Sequence, residues 1–303
     1  MTPIAAPLAR ALPLEPALED FVALLKPRVM SLVVFTGFVG LYLAPAHVNP
    51  VLQVAAILSI AVAAGACGAI NMWYDRDIDA LMARTCDRPL PAGRMEPGQA
   101  LGFGAVLAGA SVMVMGLALN WTAGALLALT IAFYVFVYTM WLKRRTPQNI
   151  VIGGAAGALP PLVGWAAATG TVGVPALVLF ALIFFWTPPH FWALSLYRAG
   201  DYARAGVPMM PVVAGQAETK RQMLVYTLLL WPLALAPTLL GIEGWFYGGA
   251  ALVLSALFTA LAVGVLYDSG ERWAKRMFGF SILYLFLLFA LMLTDRVPTG
   301  LVG

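Results

Sequence analysis

Three polar residues that could hold a metal ion stand four positions apart in the stretch NMWYDRDID, residues 71–79. They are Asn71, Asp75 and Asp79. On one continuous helix this spacing forms a stripe that drifts by about 40° per step, and Asp77 points elsewhere. Carboxylates stacked at a helix carboxyl end repel one another and oppose the helix dipole, so a nearby cation is expected. Mg²⁺ takes one or two protein carboxylates and completes its shell with water and phosphate oxygens. The stripe therefore predicts a catalytic Mg²⁺ site; the alternative is a solvated helix end.

Basic residues follow the stripe at once, in the stretch ARTCDRPLPAGR. Arg84, Arg88 and Arg94 carry planar guanidinium groups, which suit the oxygens of phosphates. Acids for a metal followed by arginines for phosphate predict a diphosphate-binding site. The alternative is that these arginines only set the orientation of the chain in a membrane.

A second polar cluster lies in the stretch TPPHFWALSLYRAGDYARAG, residues 187–206. His190 stands inside an uncharged segment, and an ionisable residue within a membrane span is a functional hypothesis by default. Asp201 is predicted to join the catalytic residues, and Arg198 and Lys220 to bind diphosphate. The alternatives are a loop or capping role for Asp201, a topology role for Lys220, and a histidine hydrogen-bonded within the helix bundle.

Long stretches without charge predict the elements that position these side chains. The chain has 303 residues, 62% of them hydrophobic and 11% charged, with a mean hydropathy of +0.88. A soluble domain carries roughly a quarter charged residues. Four stretches with at most one charge are each about twice the ~20 residues of one membrane crossing, and a fifth is about one crossing long. The sequence thus predicts an all-α integral membrane protein, a bundle of about nine transmembrane helices, at residues 27–45, 51–76, 98–118, 122–142, 148–168, 173–197, 222–241, 245–267 and 276–294.

The basic residues predict how this bundle is oriented. Of 18 Lys and Arg, all except Arg296 fall in the amino-terminal segment, at helix ends beside it, or in the loops between helices two and three, four and five, six and seven, and eight and nine. The positive-inside rule makes that side cytoplasmic, with the polar site, and places the carboxyl terminus outside. The basic run at residues 143–145 is interpreted as a topology and lipid-headgroup feature in preference to a phosphate site.

The same pattern divides the chain into three parts. Residues 1–25 are predicted to be a poorly ordered cytoplasmic segment, residues 26–296 a single transmembrane domain, and residues 297–303 a short tail.

Several longer stretches resemble a known family. They are NMWYDRDIDALMARTCDRPLPAGR, YTMWLKRRTPQNIVIGGAAGALPP, WTPPHFWAL and DYARAGVPMMPVVAG. The first carries the Asn and two Asp at four-residue spacing that are the first signature of the intramembrane aromatic prenyltransferase superfamily. In this combination and order, from Lys26 onward, the chain resembles its heme branch, the protoheme IX farnesyltransferases or heme O synthases. The second, Asp-rich signature of the superfamily is represented here only by Asp201, with His190 upstream.

This resemblance implies a reaction and its partners. Farnesyl diphosphate, protoheme IX and water would give heme O and diphosphate, for the maturation of heme–copper oxidases. Mg²⁺ would be the cofactor, on Asn71, Asp75 and Asp79, with heme as a substrate that His190 contacts or ligates. The protein would lie in the lipid of a bacterial inner (plasma) membrane and pass its product to a downstream heme A synthase. No nucleic-acid partner is expected.

Three other functions are alternatives to this one. A sibling prenyltransferase of quinone biosynthesis would share the stripe and differ in its acceptor, and the PPHFW stretch with His190 favours heme. A transporter would place its polar residues near the bilayer midplane, whereas these crowd one face. A structural membrane subunit would leave the acidic stripe without a purpose.

Overall fold

The computed structural model describes residues 15–295, and the regular elements within that range are helices. The helices are α1 (Leu18–Leu25), α2 (Pro27–Leu43), α3 (Pro50–Tyr74), α4 (Arg76–Asp79), α5 (Pro97–Ala118), α6 (Trp121–Ala132), α7 (Asn149–Ala158), α8 (Pro160–Thr169), α9 (Val174–Tyr197), α10 (Ala199–Arg204), α11 (Met210–Val213), α12 (Gly215–Leu239), α13 (Trp245–Tyr267) and α14 (Arg272–Leu291).

The predicted membrane architecture is confirmed. In the described range, eight helical spans are long and apolar enough to cross a membrane, and α1 and α2, bent by 48° between them, make a ninth when counted as one. Two helices begin before their predicted first residues, α12 at Gly215 rather than 222 and α14 at Arg272 rather than 276. Both helices begin with polar turns, which a hydropathy pattern does not include.

Two irregularities within the spans were not predicted. The fifth span is interrupted at Leu159, between α7 and α8, where Pro160 and Pro161 follow. A proline lacks the N–H group that continues a helix and its ring crowds the preceding turn. Helix α6 continues as a π-helical segment, Phe133–Trp141, and a 3₁₀ turn, Leu142–Arg144. Such π-segments occur frequently at functional sites.

The amino-terminal segment differs from its prediction. Residues 18–25 were expected to be poorly ordered, but they form α1, which packs against α3. Its Leu24 is fully buried, and its Asp20 carboxylate accepts a hydrogen bond from Arg94 at 2.8 Å. These contacts stabilise a helix too short to be stable alone. The rest of the predicted segment up to residue 14, together with Arg296 and the tail, lies outside the described residues.

Helix α9 is the central element of the carboxyl-terminal half. It contacts α7, α8, α12 and α14, and its Trp192 is fully buried. Pro188 and Pro189 lie inside it without ending it. The helix therefore holds His190 at a fixed place in the bundle. On another helix, α13, bulky residues such as Trp245 and Phe246 remain exposed, as lipid-facing side chains do.

Candidate functional site

Asn71, Asp75 and Asp79 form the predicted stripe. Helix α3 ends at Tyr74, but the helical hydrogen bonds continue: the N–H of Asp75 donates to the carbonyl of Asn71 at 2.9 Å, and that of Asp79 to the carbonyl of Asp75 at 2.8 Å. The three residues are 5%, 0% and 1% exposed. The Asn71 amide donates to Asp75 Oδ2 at 2.7 Å. The break between α3 and α4 therefore leaves the stripe intact and buried.

Three basic side chains from separate parts of the chain reach the stripe. The contacts are Lys26 Nζ to Asn71 Oδ1 at 2.9 Å, Arg88 Nη1 to Asp79 Oδ2 at 2.6 Å, and an ion pair of Lys143 with Asp75. We call Lys26, Arg88 and Lys143 the internal cations. Asn71 and Asp79 thus each have one basic partner, and Asp75 has a second one in Arg144, whose Nη2 lies 3.4 Å from Asp75 Oδ1. These contacts offset the cost of burying carboxylates.

Asp77 lies outside the stripe, as its position on the helix predicts. Its side chain is 61% exposed, and both its oxygens accept hydrogen bonds from Arg144 at 2.7 Å. Arg144 also donates to the carbonyl of Tyr74 at 3.1 Å and stacks over the Tyr74 ring. The hydrogen bonds from Arg144 lower the pKa of Asp77 to about 2, so this carboxylate is charged at ordinary pH. The ion pair of Asp77 with Arg144 thus connects the end of the membrane span Trp121–Arg144, which α6 begins, to the end of α3.

A basic cavity opens beside the stripe. It has a volume of about 460 Å³ and contains a single acidic residue, Asp87, in its lining. Its basic lining residues are Lys26, Arg28, Arg84, Arg88 and Arg94. All three arginines predicted from the first cluster therefore meet at one cavity, whose positive charge suits a phosphate group.

The segment after α9, which carries the second polar cluster, packs onto the segment after α3. Ile78 and Met82 share a buried apolar cluster with Tyr202, Val207 and Met209. This confirms that the two polar clusters lie at the same end of the bundle.

The predicted site residues of the second loop have other partners. Asp201 pairs with Arg204, and with Arg198 at 3.8 Å. Lys220 donates to the carbonyl of Asp268, in the loop between α13 and α14, at 2.5 Å. These contacts do not join Asp201, Arg198 or Lys220 to the stripe, and their predicted roles stay predictions.

His190 is held rigidly in α9. Its ring stacks on Trp186 at 4.3 Å and on Phe278 at 4.8 Å, and its Nδ1 lies 2.6 Å from Ser281 Oγ. The Ser281 hydroxyl donates its one proton to the carbonyl of Phe278 at 2.6 Å. This network assigns the proton to His190 Nδ1, which donates to Ser281. The lone pair is then on Nε2, the nitrogen that a metal could bind.

Three site residues were missed or undervalued in the sequence. Lys26 was not a candidate, and Lys143 was interpreted as a topology residue. Thr139, whose hydroxyl accepts from the Asn71 amide at 3.3 Å, was also missed. The sequence did contain a sign that Thr139 and Lys143 could act together, since residues four apart share one helix face.

The donor set fits a magnesium ion held jointly with a phosphate. Between residues 15 and 295, no cluster of three or more His, Cys, Asp or Glu side chains is close enough to hold a metal ion. The stripe offers two carboxylates and one amide, and Mg²⁺ usually keeps several water or phosphate ligands. The site is therefore suited to a cation whose remaining ligands come from a diphosphate in the adjacent cavity.

Fold and site together define a multi-pass membrane protein with a buried carboxylate–amide stripe beside a basic cavity. The family model described as the UbiA prenyltransferase family matches residues 33–293. The chain belongs to the UbiA prenyltransferase family.

Curated relatives agree closely over nearly the whole length. A protein of Azorhizobium caulinodans called protoheme IX farnesyltransferase is 61% identical over 287 residues, which are 93% of this chain and 94% of the relative. A protein of Parvibaculum lavamentivorans with the same name is 58% identical over 283 residues, 92% of this chain and 89% of the relative.

Solved structures show the same fold at low identity. A digeranylgeranylglyceryl phosphate synthase superposes with a TM-score of 0.76 at 18% identity, over 92% of this chain and 98% of the other. A UbiA homolog from Archaeoglobus fulgidus bound to DMAPP and Mg²⁺ gives a TM-score of 0.65 at 18% identity, over 90% and 99%.

Proposed function

We propose that this protein transfers a farnesyl group from farnesyl diphosphate to a vinyl group of protoheme IX, with addition of water. The products are heme O and diphosphate, and heme O serves the maturation of heme–copper oxidases. The protein is a prenyltransferase by family. The names of relatives about 60% identical supply the substrates, and the buried stripe beside a basic cavity is the observation that carries the chemistry.

The step in which the diphosphate leaves is the one that the site residues could assist most directly. Breaking the bond between farnesyl carbon and oxygen leaves an electron pair, and negative charge, on the diphosphate. Arg84, Arg88 and Arg94 place fixed positive charge around the cavity where that charge develops, which lowers the barrier to ionisation. Asn71, Asp75 and Asp79 would hold Mg²⁺, which supplies Lewis-acid neutralisation of the diphosphate. Mg²⁺ beside an isoprenyl diphosphate in the Archaeoglobus fulgidus homolog supports this assignment.

The farnesyl cation then meets the acceptor. A terminal vinyl carbon of protoheme forms the new carbon–carbon bond, water adds its oxygen to the neighbouring carbon, and one proton is released. The apolar bundle would hold the isoprenoid chain and exclude other water from the cation. The reaction therefore requires that a vinyl carbon of the heme reach the farnesyl carbon that carried the diphosphate.

A pigment analysis tests this function. The protein is expressed in cells that lack their own heme O, or purified and supplied with protoheme, farnesyl diphosphate and Mg²⁺, and the extracted heme is identified by mass. Heme O is the expected product. Prenylation of a quinone precursor, with protoheme unchanged, would instead support the sibling prenyltransferase.

His190→Ala is expected to weaken protoheme binding and shift the heme absorption spectrum, with little change in farnesyl diphosphate binding. The physical reason is that Ser281 fixes the ring with Nε2 as the nitrogen that carries a lone pair, and a neutral imidazole is the usual protein ligand of heme iron. The measurements are a heme titration followed by absorbance and a separate binding assay for farnesyl diphosphate.

His47→Ala is the matched control, because His47 is exposed in the loop after α2. An unchanged heme spectrum and affinity in folded His190→Ala protein would exclude a ligand role and leave the hydrogen-bonded bundle histidine as the explanation.

We also propose that the protein lies in a bacterial inner membrane with its amino terminus and the stripe on the cytoplasmic side. Basic residues at that end of the bundle support this orientation. A cysteine replacing exposed Asp87, in a chain with Cys86→Ser, should react with an impermeant maleimide from the cytoplasmic side only. A cysteine replacing exposed Thr171 should react only from the other side. Labelling of both from one side would contradict the orientation.

The product suggests the partner downstream. Heme O carries a new apolar chain and is expected to remain in the membrane, so an enzyme that consumes it, a heme A synthase, would receive it there. Recovery of a crosslinked complex of the two proteins from membranes would support direct transfer.

A further inference from the structure

The stripe is already neutralised without a metal. Its two carboxylates and one amide contact four basic side chains: Lys26, Arg88, Lys143 and, at 3.4 Å from Asp75 Oδ1, Arg144. A divalent cation that entered this arrangement alone would meet the positive charge of these side chains beside only two carboxylates. Like charges at such distances repel strongly where water is excluded.

The basic cavity gives the internal cations another place to bind. Lys26 and Arg88 already form part of its lining, so each contacts the stripe on one side and borders open space on the other. A diphosphate in the cavity would bring several negative charges within reach of these two side chains. They could then turn from the stripe to phosphate oxygens without leaving the site.

The backbone at Lys26 is unusual in a way that fits a functional role. Lys26 has φ of 51°, and it is the only residue other than glycine with positive φ in the described range. It stands at the bend between α1 and α2, immediately before Pro27. Left-handed backbone in a bulky residue is unfavourable and persists where the surroundings hold it, often at functional sites. The bend directs the ammonium group to Asn71.

We propose that Lys26, Arg88 and Lys143 occupy the stripe in the metal-free protein as exchangeable counterions, so that a divalent cation enters together with a diphosphate and not alone. On loading, Asp75 and Asp79 keep the metal, Lys26 and Arg88 transfer their contacts to the diphosphate in the cavity that they line, and Lys143 releases Asp75. This inference rests on the proposed function for the identity of the diphosphate substrate. It makes Lys26 part of substrate binding and Lys143 a competitor of the metal, roles that the sequence pattern did not give them.

Equilibrium dialysis tests the exchange without heme or turnover. Chelator-treated protein in phosphatidylcholine nanodiscs is dialysed against Mn²⁺, alone or with equimolar inorganic diphosphate, and bound metal and diphosphate are measured. Wild-type protein should bind Mn²⁺ at least about tenfold more tightly with diphosphate than without, which corresponds to ~1.4 kcal/mol. Equal affinities would overturn the proposal, and this comparison needs no variant.

Removing an internal cation that contacts both the stripe and the cavity should shift the affinities for the two ligands in opposite directions. Arg88→Met should bind Mn²⁺ alone more tightly than wild type, because Asp79 loses its competing partner, and should bind diphosphate less tightly, because the cavity loses a positive charge. Arg88→Gln is the second variant, in case the first does not fold. Lys275→Met is the matched control, since Lys275 is exposed and pairs with Glu271.

The outcomes are distinct. Opposite shifts in the Arg88 variants and none in the control support the exchange. Weaker or unchanged binding of Mn²⁺ alone by folded Arg88 variants contradicts it. Failure here together with heme O synthesis by the wild-type protein would reject the exchange only, whereas absence of heme O would reject the proposed function.

Discussion

Asp75→Asn and Asp79→Asn are each expected to lower turnover by on the order of 10²–10³-fold or more, the scale seen when one fixed electrostatic contact to a transition state is removed. Both carboxylates are essentially fully buried on the stripe. An amide keeps the shape but removes the charge that would hold a divalent cation. Asp77→Asn should lower turnover far less, because Asp77 faces solvent and acts only through its contact with Arg144.

The measurement is heme O formed per protein, with farnesyl diphosphate and Mg²⁺ near saturation. Asp77→Asn is the matched control, since it removes the same charge two residues away from each of the stripe carboxylates. Each variant should elute as a single species in detergent, which separates lost chemistry from lost folding. Equal losses in all three folded variants would contradict the stripe, and full activity in EDTA without added metal would contradict the metal.

Gly164→Ala is expected to destabilise the protein by roughly 3 kcal/mol or more, beyond the usual cost of overpacking a core. Helices α2 and α8 touch backbone to backbone at this glycine. A methyl group added at Gly164 would lie 2.1 Å from the carbonyl oxygen of Gly37, and one at Gly40 would lie 2.1 Å from that of Pro161. Small residues permit such close approach of membrane helices, and backbone atoms cannot move aside as a side chain can.

Gly157→Ala in α7 is the matched control. A methyl group there has no neighbour within 4 Å, and alanine is intrinsically better than glycine in a helix by up to about 1 kcal/mol. The measurement is the fraction of purified protein that remains monodisperse after heating in detergent. Gly164→Ala should lose this fraction at a much lower temperature than wild type, and Gly157→Ala should not. Similar behaviour of the two variants would contradict the close contact of α2 with α8.

The sequence alone determined the features that depend on neighbouring residues. Apolar length is a local property, so the number of spans could be predicted from uncharged stretches. The stripe was predictable for the same reason, because a helix brings residues four apart onto one face. Arg84, Arg88 and Arg94 follow the stripe closely in the chain, and their meeting at one cavity required only a compact loop.

Only the tertiary structure decided which cations complete the site. Lys26 and Asn71 are 45 residues apart, and Lys143 and Asp75 are 68 apart, so no local pattern relates them. Their meeting depends on the bend between α1 and α2 and on the π-helical end of the α6 span, which sets the register of Thr139 and Lys143 against α3. Hydropathy does not encode that register, because a lipid-spanning helix remains equally apolar whichever way it is shifted along its neighbours. The register is fixed instead by side-chain packing and hydrogen bonds between helices, which exist only once the helices are assembled.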